Sequence, residues 1–412
     1  MKKFLISAEK LFTIICLMIY SGTPLDPLIS NGFTIKEGDK FIGRFLFTCT
    51  YIFSISLITL RWKKVAHIFS KDKLIWLLLG VCALSSFWSL DSDTTIRRAL
   101  GLAGTMLFGL YLASRYTLKE QLKLCAYVLG ISAVMCFLFG LLIPQYGIAG
   151  GVDTGSWRGI YAQKNILGTR FVLGGAIFFF LAMTNRENLR VLWLGYFSSG
   201  LLILLSKSAT SLGNFMIIPV TFFIYSRVLH LKYKVMIPIV TLMTIVGIGL
   251  YTLFVSQADT ILGTVGKDTT LTGRSELWPA VLDMIAKKPW LGYGYAAFWQ
   301  GNSEASVIVQ TVQWNAPNAH NGFLDVLLDL GVLGISIFII GFVLNFLRGI
   351  YLIRWNQTDE SLWLLIYLTY VILANLTEST LLNQNSLEWI LYVSAILSSK
   401  ASTSKNLSKY NS

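Results

Sequence analysis

Apolar runs of about 20 residues, the length that carries an α-helix across bilayer hydrocarbon, recur from end to end of this 412-residue chain. No other feature restricts its fold as strongly. Inside hydrocarbon every backbone N–H and C=O must bond within the protein, which leaves only helices or closed barrels. The runs are continuous rather than alternating, which argues against barrel strands. Charged residues make up 13% of the sequence, against roughly 25% in a soluble globule. The expected fold is therefore all-α: a polytopic integral membrane protein of about twelve transmembrane helices. The spans fall near 8–21, 41–60, 73–89, 97–114, 121–143, 166–183, 190–206, 209–226, 235–255, 321–347, 361–376 and 387–398.

Lys and Arg set the expected orientation. Every second loop is basic: the start with Lys2, Lys3 and Lys10, then "RWKKVAHIFSKDK", "SRYTLKEQLK", "TNRENLR", "SRVLHLKYK", "RGIYLIRWNQTDE" and the tail. These hold 21 of the 34 Lys and Arg but only 6 of the 21 Asp and Glu. The positive-inside bias places that side, with both termini, in the cytoplasm. The net charge of +13 thus reflects membrane orientation. With no basic stripe on one element, it is no nucleic-acid footprint. The start has the lysines of a signal peptide but no clean small-residue cleavage site, and reads as an uncleaved first span. The five cysteines lie in or beside apolar runs, so no disulfide or zinc framework is visible. One membrane domain spans 1–412, with a cytoplasmic tail at 399–412.

Two of the extracytoplasmic loops are long, 144–165 and, between spans nine and ten, 256–320. A loop of the second length in a compact bundle points to function. It contains a predicted helix, "SELWPAVLDMIAKK", with Leu277, Val281 and Ile285 on one edge. Ser275 suits its N-cap, Pro279 its first turn, and Lys287 and Lys288 its C-terminal dipole. That apolar edge fits an interfacial helix on the membrane surface and fits equally well packing against the bundle.

Of the three histidines, His67 and His230 fall in basic loops; His320 alone faces outward, where the long loop re-enters the membrane. Helix capping or headgroup contact would account for it as readily as chemistry. Asn321, Asp325 and Asp329 follow at four-residue steps as one polar stripe. Asp325 lies roughly 140° around the helix from His320, so it is not expected to orient the ring; hydration of a cavity is the favoured role for the two aspartates. The same side pairs cations with aromatics. "GSWRGIYAQKNILG" carries Trp157, Arg158, Tyr161, Lys164 and Asn165; "TGRSELW" carries Arg274 and Trp278; "WLGYGYAAFW" adds Trp290, Tyr293, Tyr295, Phe298 and Trp299. Arg and Lys at a bilayer surface bind phosphate and flat aromatic faces suit sugar rings, although an interfacial aromatic belt gives similar residues. Asp91 and Asp93 could hold a divalent metal on a sugar diphosphate, but Arg97 and Arg98 would neutralise them or take phosphate themselves; no metal site is assigned.

These residues carry a family likeness. His320, Asn321, nine residues, Gly331, two residues and Gly334 resemble the signature of the O-antigen ligase/polymerase superfamily, and most of all its exopolysaccharide-polymerase (ExoQ-like) branch. "WRGIYAQKNILG", "TGRSELWPAVLDMIAKKPWLGYGYAAFW" and "SFWSLDSDT" resemble its other signatures, in the same order. The resemblance implies a metal-independent, inverting glycosyltransferase at the outer face of the bacterial inner membrane, with no cofactor. Its donor would be a glycan on undecaprenyl diphosphate. The acceptor would be another lipid-linked repeat for a polymerase, or lipid A-core for a ligase, with a chain-length regulator as a further partner. His320 would be the catalytic base; Arg158, Lys164, Asn165, Lys207, Arg274, Asn321 and Arg97 would bind substrate. One departure stands at Ser208-Ala209-Thr210, where many relatives have Ser-Arg-Thr or Ser-Arg-Gly, so that Lys207 would have to supply the charge without arginine's bidentate fork.

The chemistry fits these residues. The diphosphate is already a good leaving group, so an acceptor hydroxyl needs only a base, and histidine titrates near neutrality. Fixed cations then stabilise the departing charge. A lipid-linked-glycan flippase is the rival of another class; it would show charges deep in several spans or repeated broken helices, and few such charges occur beyond Arg44, Arg170 and the two aspartates.

Overall fold

A computed structural model of the protein describes residues 2–22, 37–185, 187–232, 272–300, 303–314, 316–356 and 359–410, with a few further positions between 234 and 242. Among these the regular secondary structure is helical, apart from one isolated bridge between Ile148 and Trp157. The helices are α1 (Lys2–Tyr20), α2 (Glu37–Thr59), α3 (Trp62–Phe69), α4 (Lys73–Leu84), α5 (Ser92–Arg115), α6 (Leu118–Leu142), α7 (Lys164–Thr184), α8 (Leu189–Ser206), α9 (Ala209–Arg227), α10 (Thr272–Lys287), α11 (Ser303–Val312), α12 (Gly322–Asn356), α13 (Asp359–Asn375) and α14 (Leu387–Tyr410). Every expected span except the ninth coincides with one of them. Most of 235–255 lies outside the described residues. Six of the helices are long and apolar enough to cross a membrane by length and composition alone.

Polar residues at the helix ends explain where several spans begin. Asp72 accepts the Ile75 amide at 3.1 Å to start α4, and Asp91 accepts the Thr94 amide at 2.9 Å to start α5. Thr117 and Glu120 form a capping box at α6. The Asp91 carboxylate also takes the Thr94 hydroxyl at 2.6 Å, and these bonds hold its pKa below the usual carboxylate range. It is therefore a helix cap.

Contacts sort the loops onto two ends, in the alternation that the sequence suggests. At one end Glu9 bonds Arg61 (2.8 Å) and Arg115 (3.0 Å), Asp72 bonds Lys400 (2.6 Å), and Arg354 donates to the Leu229 carbonyl (2.7 Å). These join the basic loops. At the other end Leu90 donates to Tyr293, Trp157 to Leu205, and Gly322 to Glu378.

Between the ends, α7 is the most buried of these six long apolar helices, with 83% of its apolar stretch inside the protein. Its small residues admit close neighbours: Gly168 faces Ser211 and Gly175 faces the Phe215 ring. Arg170 on this helix meets Glu388 of α14 at 2.7 Å, both buried. Two compensated charges here stabilise little by themselves, but leaving one alone costs about 3–5 kcal/mol. Glu388→Ala should therefore lower the thermal unfolding midpoint of the purified protein markedly, and Arg170→Met with Glu388→Leu should recover most of the loss. An unchanged midpoint in the single variant would contradict the pairing.

Candidate functional site

The site starts from a break in a helix. Within α12, Gly331 has φ 60° and ψ −161°, a backbone state open essentially to glycine alone. The nine residues before it form a short helix, and 332–356 is by itself long enough to span hydrocarbon. The segment after α10 plugs the break. Pro289 and Trp290 carbonyls accept the Val332 and Leu333 amides at 2.7 and 3.2 Å, and the Leu328 and Asp329 carbonyls accept Tyr293 and Gly294 at 2.7 and 2.9 Å. A β-carbon at 331 would strike the Trp290 carbonyl. The glycine of the His-Asn-nine-Gly spacing is thus explained by backbone meeting backbone. Gly331→Ala should cost more than the about 1–3 kcal/mol of the strained conformation alone, read as a lower unfolding midpoint; a midpoint equal to wild type would contradict the packed break.

His320 sits immediately before this short helix with φ 48°, and its backbone is held on each side. Asn318 Oδ1 accepts the His320 amide at 2.9 Å, Trp278 Nε1 donates to the Ala319 carbonyl at 3.0 Å, and Asn321 Oδ1 accepts the Phe323 and Leu324 amides at 3.0 and 3.3 Å. Asn321 is thus a helix cap. The ring turns toward the α13–α14 loop, where its Nδ1 lies 3.4 Å from Glu378 Oε2; Glu378 Oε1 lies 3.4 Å from Arg274 Nη2. One carboxylate therefore stands between the imidazole and the guanidinium, with all three side chains 12–15% exposed. Trp314 flanks the imidazole at 6.1 Å between centroids. Glu378 is fixed by its own backbone, its amide donating to Ala374 (2.9 Å) and its carbonyl accepting Gly322 (3.1 Å).

Asp325 does not touch the ring, as its position around the helix implies. It serves as a joint rather than hydrating a cavity. Its Oδ1 accepts Trp299 Nε1 at 2.8 Å and the Ala319 amide at 3.1 Å, and its Oδ2 accepts the Ser379 hydroxyl. Asp329 lies deeper, within electrostatic reach of Arg98.

The other candidate cations gather around 148–163. Lys164 pairs with Asp153 at 2.5 Å, Arg158 donates from Nε to the Tyr146 carbonyl at 2.9 Å, and the Lys207 ammonium lies beside Gly155. Burial holds the Arg158 pKa below the usual guanidinium range. Lys207 caps α8 with φ 54°, and half-buried Asn165 lies in the first turn of α7. Arg97 is exposed and folds back to the Asp93 carbonyl (3.2 Å) and Thr94 hydroxyl (2.8 Å). The structure thus joins His320, Asn321 and Arg274, and groups Arg158, Lys164 and Lys207 separately through contacts of their own.

Most of the aromatics are structural. Tyr161, Tyr293, Tyr295 and Phe298 are buried, whereas Trp290 is exposed. The described part of α10 begins at Thr272, so Ser275 is inside the helix rather than its cap. Pro279 lies beyond the first turn, where its ring removes one backbone bond. The Leu277 and Val281 edge is buried in a small core with Tyr293, Phe298, Ile308 and Leu328, on which Ile285 packs. That edge is covered by the chain itself.

Glu378, Trp314 and Ser379 are site residues that the sequence reading passed over. Loop alternation already put Glu378 on the side of His320, and it is the acidic residue of 377–386. A carboxylate there beside a lone histidine was the available signal.

Residues 194–339 match the family described as O-antigen ligase, a segment containing Lys207, Arg274, His320 and both glycines of the break. The chain is also 25% identical, over 292 residues, to the exopolysaccharide production protein ExoQ of Rhizobium meliloti (strain 1021). That match covers 68% of this chain and 66% of the relative, just under two thirds of the relative's length. The part of the chain that carries the break at Gly331 and His320 is thus the part similar to O-antigen ligase, and the chain at large is similar to ExoQ.

Proposed function

We propose that this protein is a glycosyltransferase that moves a glycan from a polyprenyl-diphosphate donor onto a sugar hydroxyl, polymerising repeat units of an exopolysaccharide or O-antigen. The observation that carries the reading is the line His320–Glu378–Arg274, with 3.4 Å on either side of the carboxylate. An ionised Glu378 accepts a hydrogen bond, which assigns the ring proton to Nδ1 and leaves the Nε2 lone pair free. Nε2 then removes the acceptor's hydroxyl proton as that oxygen attacks the anomeric carbon. The bond from that carbon to the diphosphate oxygen breaks, and Arg274 faces the charge that develops there. The 3.4 Å contacts suit a site without substrate, since catalytic hydrogen bonds tighten when substrate arrives. The positive-inside charge pattern supports a site on the outer face of the inner membrane and both termini in the cytoplasm.

A ligase would use the same donor and the same base with another acceptor, lipid A-core. The test is the purified protein incubated with a defined undecaprenyl-diphosphate oligosaccharide as sole substrate. A polymerase yields a ladder of lipid-linked oligomers. Donor left intact until a lipid A-core acceptor is added would assign the ligase, and donor left intact with either acceptor would overturn the transferase reading.

A further inference from the structure

Three loop segments converge on one half-buried group that the proposed chemistry does not use. Asp325 accepts from Trp299 Nε1 at 2.8 Å, from the Ala319 amide at 3.1 and 3.3 Å, and from the Ser379 hydroxyl. Ala319 is the residue before His320, and Ser379 is the residue after Glu378. Trp278, one turn after Arg274 on α10, donates to the Ala319 carbonyl at 3.0 Å. A single carboxylate on the short helix before Gly331 therefore ties together the segments that present the imidazole and its carboxylate partner, while the residue it holds is also tied to the helix of the arginine. The short helix that carries Asp325 is in turn locked by the loop plugging the Gly331 break, where Leu328 and Asp329 carbonyls accept Tyr293 and Gly294.

We infer that Asp325 is a positioning residue for the transfer reaction: it fixes the spacing of His320 from Glu378 by bonding the backbone beside one and the side chain beside the other. This rests on the proposed role of His320. An error of about an ångström in such a constellation lowers rate about 10²-fold. Loss of Asp325 should therefore act on turnover rather than on substrate binding.

The test compares wild type, Asp325→Ala, Asp325→Asn, Trp299→Phe and His320→Ala as full-length chains in lipid nanodiscs, with a defined undecaprenyl-diphosphate oligosaccharide. Asp325→Ala should lower kcat about 10²-fold with KM changed less than about threefold. Asp325→Asn keeps an acceptor for Trp299 and Ala319 and gains a donor for Ser379, so it should restore kcat to within about tenfold of wild type. Trp299→Phe removes one of the three bonds and should lower kcat by a smaller factor, which keeps the test decisive if Asp325→Ala does not accumulate. An inactive His320→Ala beside Asp325→Ala or Trp299→Phe with wild-type kcat overturns the positioning role alone. A fully active His320→Ala overturns both this role and the catalytic reading beneath it.

Discussion

His320→Ala is expected to accumulate in the membrane at wild-type levels and to transfer glycan about 10²–10⁴-fold more slowly, the loss typical of removing a general base. Stability should change little. The His320 side chain is 14% exposed and its backbone is held by Asn318 Oδ1, while the neighbouring Ala319 is held by Trp278 and Asp325, none of which involves the imidazole. The measurement is the initial rate of product formation by purified variants, with circular dichroism and thermal unfolding as controls. Undiminished transfer would remove His320 from the chemistry, and a matching fall in unfolding midpoint would reassign it to structure.

Glu378→Gln should have the next largest effect. Glutamine fills the same space and leaves the backbone bonds to Ala374 and Gly322 intact, but it no longer draws the ring proton to Nδ1 by charge. In a serine protease the equivalent change to the group that orients a catalytic histidine costs about 10⁴-fold. The looser 3.4 Å contact here suggests a smaller loss, about 10²-fold. Glu378→Gln at wild-type rate would make Glu378 only a counter-ion for Arg274.

How much of this was legible in the sequence depends on range. Hydrophobic length placed the spans, because a membrane imposes one length on every helix that crosses it. Basic loops placed the ends, because the charge bias is a sum over many residues and tolerates local error. The short helix before Gly331 was hidden inside a continuous apolar run. Composition does not change at Gly331; the break exists because the 289–294 segment docks there and supplies bonds to Val332 and Leu333. Loop alternation gave Glu378 its side of the membrane but not its contact with His320, which lies 58 residues away in the chain. Asp325 illustrates the limit best. Its angle around the helix correctly kept it off the imidazole, yet its partners, Trp299, Ala319 and Ser379, come from three segments that only the fold unites. The aromatics of "WLGYGYAAFW" looked like a platform for sugars, but burial of Tyr293, Tyr295 and Phe298 shows that they build the wall behind the site.

The most direct measurement of the central claim is the anomeric configuration of the new linkage. Purified protein would be given an undecaprenyl-diphosphate oligosaccharide of known anomeric configuration, and the product's anomeric proton coupling read by NMR. A single displacement by a hydroxyl that His320 has deprotonated gives the opposite configuration from the donor. Retention would require an enzyme-bound glycosyl intermediate and would contradict the account.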